Sequence, residues 1–127
     1  IVHIISFPEL AWKSHEHGSM STDDMQACRE RLSNVITSAQ ITEYGAVVRS
    51  DIVTFLNSEN TEAFDKVVPA HYGGEVTVLE LLNIILSHST HHLKQLYWFM
   101  ETELGIKPTN PATEADMDGI FTPAQLI

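Results

Sequence analysis

The chain has a single cysteine, Cys28, only 7 Lys and Arg against 17 Asp and Glu, and no long unbroken apolar run. One thiol excludes an internal disulfide and fits a reducing compartment, so a cytoplasmic location is expected. Beside Met25 and Leu32 on an expected helix, Cys28 reads as a small buried hydrophobe rather than a reactive thiol. A formal net charge of −10 offers nothing to nucleic-acid phosphates or to an anionic membrane surface, and neither partner is expected. The longest apolar stretch, Val78 to Leu86, is broken by Glu80 and Asn83 and falls short of the roughly 18 to 20 residues that span a bilayer. No signal-peptide pattern is visible. The chain opens Ile1-Val2-His3-Ile4-Ile5, already amphipathic and without Met, so the true start is expected upstream. A length of 127 residues with 43% hydrophobic content suits one globular domain, residues 1–127, burying about two-thirds of its unfolded surface.

What is present is periodic. From Val78 onward a stripe runs Leu81, Ile85, His88, His92, Leu96, Phe99 in steps of three and four. Thr77 with Glu80 makes a capping box. Gly105 suits the left-handed position after a helix end and Pro108 blocks resumption. A helix over 78–104, about 40 Å long, follows. Thr37 with Gln40 is a second box, opening a helix from Ser38 to about Asn57 whose stripe is Ile41, Tyr44, Val48, Ile52, Phe55. Gly45 in that helix suits close approach of a neighbour. Residues 22–33 read as a shorter helix begun by Ser21 or Thr22, with Asp23 and Asp24 set against the N-terminal dipole. Residues 1–17 read as another, with Pro8 kinking it or opening its second half. A long connection from Ser58 to Val76 is broken at Pro69 and Gly73-Gly74. Its pieces Lys66-Val67-Val68 and Glu75-Val76 are β-like, but no sheet follows from them. The tail after Gly105 reads as loop with a short helical turn, packed along the helices. The expected class is all-α, an antiparallel four-helix bundle, and metal sites in such bundles are assembled from inward side chains on facing helices.

The histidines carry the chemistry. His88 and His92 are four apart and share one helical face, so both rings reach toward one point, a spacing that suits a metal ion. On the stripe they interrupt a buried seam, and an unpartnered polar ring there costs free energy. A core histidine with one hydrogen-bond partner is the plainer explanation, but two at this spacing favour a ligand pair. His88 with His91 is geometrically allowed as well, although His91 is turned about 100° from His92 and better suits a place behind the ligands, at an interface or in solvent. A catalytic metal takes three protein ligands and keeps a position open. His3, in register with Phe7 and Leu10 and so expected to point inward, is the candidate for the third. A solvated histidine near the chain start is nearly as good a reading of the pattern. His15 and His17 flank Glu16 at a helix end, where imidazolium and dipole suffice to explain them. His71 beside Tyr72 suits a pocket mouth or a plain loop. Gln95 is placed to hydrogen-bond a ligand or the outer nitrogen of a coordinating ring. Tyr44, Tyr72 and Tyr97 are candidate proton donors. Trp98 and Met100 fall off the stripe, on a second apolar face that suits a homodimer contact.

The stretch Val76-Thr77-Val78-Leu79-Glu80-Leu81-Leu82, then His88-x-x-x-His92-Leu93-Lys94-Gln95-Leu96 and Glu103-Leu104-Gly105-Ile106, resembles the last core helix of the DinB-like superfamily. Tyr72-Gly73-Gly74 resembles the turn before it in one branch, and His3 ahead of Ile4-Ile5-x-Phe7-Pro8-Glu9 resembles the first-helix ligand. The likeness covers most of the chain, most strongly residues 72–106. It departs from the pattern in starting the first helix so close to that ligand. The resemblance implies a four-helix bundle with a divalent metal on His3, His88 and His92. It also implies, as one activity of the superfamily, thiol-dependent S-transfer with a low-molecular-weight thiol onto a small-molecule electrophile. Three imidazoles suit Zn, Ni, Fe or Cu. Nothing in the spacing selects transfer over hydrolysis. A non-enzymatic metal-binding stress-response bundle and a metal-free interaction bundle stand as the alternatives.

Overall fold

The computed structural model describes residues 1–58 and 61–126, so residues 59–60 of the expected connection lie outside the described residues. Among the described residues the chain is mostly helical. Its elements are α1 Val2–His17, α2 Thr22–Arg31, α3 Ser38–Leu56, α4 Glu62–Asp65, β1 Val67–Pro69, β2 Glu75–Thr77 and α5 Val78–Thr102. Two compact units divide within α5, Ile1–Ile85 and Leu86–Ile127.

In the first unit α2, α3 and α5 begin where a side chain satisfies free N–H groups of the first turn. Ser21 with Asp24 caps α2, and Thr37 with Gln40 caps α3. At the start of α5 the Glu80 N–H donates to the Thr77 hydroxyl at 3.1 Å and the Thr77 N–H to the Glu80 carboxylate at 2.8 Å. Pro8 sits inside α1 and does not end it, so the helix is one element from Val2 to His17. Gly18, at φ 75°, closes α1 with its N–H on the Ser14 carbonyl at 2.8 Å.

α1 packs on both α2 and α3. Glu9 meets Arg31 near the end of α2, whereas Ile5 meets Gly45 and Trp12 meets Phe55 in α3. The α1–α3 contacts advance together along both helices, so those two run in the same direction. At Gly45 they approach closely: a Cβ there would lie 3.3 Å from Ile5 Cδ1.

The β-like pieces do pair. β1 and β2 form a two-stranded antiparallel hairpin with Val68 opposite Val76, turned through Gly73 and Gly74 at φ 94° and 78°. Three-residue strands do not stand alone in water. This hairpin is fixed by the Met20 N–H on the Pro69 carbonyl at 3.0 Å and the Val78 N–H on the Lys66 carbonyl at 2.9 Å. Val68 and Met20, both fully buried, carry it into a core shared with Phe7, Trp12, Phe55 and Leu81. Each such side chain contributes about 1.5–3 kcal/mol of burial.

The second unit is the remainder of α5 with the tail folded along it. The Ala112 N–H donates to the Tyr97 hydroxyl at 3.0 Å, Lys94 Nζ to Thr122 Oγ1 at 2.9 Å, and Gln95 Nε2 to the Leu126 carbonyl at 2.6 Å. Trp98 and Tyr97 face a groove whose other wall includes Pro111 and Met117, so the tail accounts for part of that second apolar face. A turn over 113–120 is held by Thr113 and Asp116.

Candidate metal centre

α5 presents His88 and His92 one turn apart, with their Nε2 atoms separated by 3.1 Å. The rings are almost perpendicular, at 89° with centroids 4.5 Å apart, so two nitrogens approach without the rings stacking. With metal–nitrogen bonds of about 2.0–2.1 Å, that separation subtends about 100° at an ion equidistant from both, between tetrahedral and octahedral values. The same distance also accommodates a hydrogen bond from one ring to the other.

The outer nitrogen of His92 decides its tautomer. A carbonyl only accepts, so the Leu126 oxygen at 2.6 Å orients the Gln95 amide with its NH₂ toward the tail. The Gln95 oxygen then faces His92 Nδ1 at 2.8 Å, and the ring must donate there. His92 is held as the Nδ1–H form, with its basic Nε2 turned toward His88. An acceptor behind the ring is the arrangement that orients metal-bound imidazoles. The possible role of Gln95 noted in the sequence is therefore matched by a contact.

The buried seam does not pass through these rings, which corrects the expectation. His88 is exposed and His92 half-buried, while Ser89 and Thr90 are buried at 8% and 7% exposure. Burial along α5 continues from Val78, Leu81 and Ile85 to Ser89, and Phe99 is 47% exposed. Hydropathy sorts serine as a surface residue, but its small side chain fits where a helix face is covered closely. His3 was likewise expected to point inward. It is exposed on the first turn of α1, its ring 4.3 Å from that of Phe7.

The other histidines separate by environment. His15, expected only to meet the dipole at a helix end, is half-buried, stacked on Phe55 at 4.7 Å, with its Nδ1 on the Trp12 carbonyl. His17 is exposed at the end of α1. His71 packs edge-on to Phe7 and Tyr72, and its Nδ1, like that of His91, is buried without a hydrogen-bond partner among the described residues.

One cluster escaped the sequence reading. Glu9 is buried to 4% exposure and its carboxylate accepts from Arg31 at 2.8 Å, from Lys13 at 2.9 Å and from the Tyr44 hydroxyl. Burial alone would raise the Glu9 pKa, but the hydrogen bonds from Tyr44, Lys13 and Arg31 outweigh it and hold the carboxyl below its ordinary range. Burial and then the hydrogen bond to Glu9 push the Tyr44 phenol far up, so Tyr44 keeps its proton and ties α3 to α1. Burial also raises the Cys28 thiol, in keeping with an inert wall residue. The i, i+4 spacing of Glu9 and Lys13 was the available sign. It is indistinguishable in sequence from a solvated surface pair.

No family model, no curated protein and no solved structure matches the chain. The DinB-like resemblance rests on its motif residues: the His88/His92 pair with its flanks, the Tyr72-Gly73-Gly74 turn, and His3.

Proposed function

We propose that the chain is a divalent-metal-binding protein of DinB-like, four-helix-bundle type, in which His88 and His92, joined by His3, hold the ion. The carrying observation is the 3.1 Å approach of two Nε2 atoms, with the His92 tautomer fixed from behind by Gln95. His3 enters as the third ligand from the resemblance. Three neutral imidazoles fit a borderline-soft divalent cation. When bound, such an ion lowers the pKa of a coordinated thiol or water and supplies a nucleophile near neutral pH.

The exposure of His88 supports an accessible ion over a closed structural one, and so an activity on a small electrophile. The reaction proposed from the resemblance is thiol-dependent S-transfer. In it Gln95 and the Leu126 carbonyl keep His92 from rotating or changing tautomer.

Elemental analysis tests the reading on protein carrying no polyhistidine tag. Stoichiometric divalent metal is expected in the native chain and its loss in His88→Ala. Because His88 is exposed, that variant keeps its helical circular dichroism, which separates a lost ligand from a lost fold. Metal-free native protein at saturating Zn or Ni would overturn the assignment.

A further inference from the structure

The first unit contains a pocket of about 240 Å³ between α1 and α2, and His3 is one of its lining residues. Its walls are mostly apolar, supplied by Val2, Phe7 and Leu10 on one side and Met25 and Leu32 on the other, with Ser6 adding one hydroxyl. The buried Cys28 also faces it, and with its raised pKa it forms wall and not nucleophile. The volume lies just under the ~300 Å³ at which drug-sized sites begin, so an occupant is a small molecule with a short apolar body.

Its electrostatics run against those of the chain. The protein carries 17 acidic residues and a net charge of −10, yet no carboxylate lines this pocket, and its one fixed charge is Arg29. Arg29 is exposed and has no ion-pair or hydrogen-bond partner among the described residues. Helix spacing explains why. The positions three and four away from it, Met25 and Gln26 on α2 and Leu32 and Ser33 just past its end, hold no anion to pair with a guanidinium. The nearest carboxylate in sequence, Glu30, accepts instead from Gln26 at 2.9 Å. Arg31, two positions on, is committed to Glu9 at 2.8 Å. An unpaired planar fork beside an apolar cleft selects a carboxylate, which it binds through two parallel hydrogen bonds.

We infer that this pocket is the substrate seat of the proposed metal site, and that it takes small carboxylates whose apolar body lies between α1 and α2 with the head on Arg29. The substrate role rests on the metal reading through His3; the carboxylate preference rests on the pocket alone. The test is titration of the purified chain with hexanoate and with hexan-1-ol, followed by calorimetry or ligand-observed NMR, with and without bound metal. Hexanoate is expected to bind roughly tenfold tighter than the alcohol, and Arg29→Gln to erase that difference while leaving alcohol binding and metal content unchanged. Equal affinity for the two ligands, or a preference that survives Arg29→Gln, would overturn the inference and leave the metal reading standing. A carboxylate preference in a chain that binds no metal would retire the substrate role and the metal reading together, while the pocket's chemistry would stand.

Discussion

Replacing Glu9 with alanine removes an acceptor shared by three helices. The cost follows from how far each donor can return to water. The Arg31 side chain is 53% exposed and that of Lys13 31%, so both rehydrate, and each pair is worth at most about 1 kcal/mol. The half-buried Tyr44 hydroxyl loses a bond to a charged acceptor, worth about 1.5–3 kcal/mol. Relief of the burial cost of the carboxylate offsets part of this, leaving a net loss of about 2 kcal/mol. With a urea m-value of about 1–3 kcal/mol/M, the midpoint should fall by about 1 M, read by circular dichroism and by tryptophan fluorescence together.

Acidification gives an independent arm. The folded pKa of Glu9 is lowered, so its stabilisation is complete above the ordinary value of 4.5 and is lost as pH falls through the lowered folded value. The stability gap between the native chain and Glu9→Gln should therefore hold steady from neutral pH to about 5 and close below that. An unchanged midpoint in Glu9→Ala, or a gap that widens in acid, would refute the reasoning.

Two further outcomes are expected. Gln95→Leu should weaken metal uptake by about 10–100-fold without changing thermal stability much, as followed by competition with a metal chelator. Gly45→Val should loosen the packing of α3 on α1, because even a Cβ would already lie 3.3 Å from Ile5 Cδ1. A melting temperature lowered by several degrees is expected, and an unchanged one would show that Ile5 simply moves aside.

How much was legible follows from where information resides in a sequence. The caps at Thr37 and Thr77 are local, each set by two residues three apart, and both appear where the pattern put them. The extent of α5 was readable for the same reason, to within a turn at its end. The hairpin was not, because three-residue strands owe their stability to Val68 reaching the core and to the Met20 and Lys66 backbone bonds, all non-local. The His88/His92 pair was visible as a spacing, but its surroundings were misread. Residue type cannot say that Ser89 is covered and His88 is not. Glu9 was missed because whether a Glu–Lys pair is wet or buried depends on Arg31 and Tyr44, which arrive from other helices.

The bond from Gln95 to the Leu126 carbonyl means that a proton on an imidazole is governed by backbone 31 residues further along. Lifting residues 122–126 away, by trimming or by pulling on an attached fusion partner, would free the amide to flip and let His92 exchange its two nitrogens. Any change that loosens residues 122–126 would therefore alter cation uptake without touching a ligand.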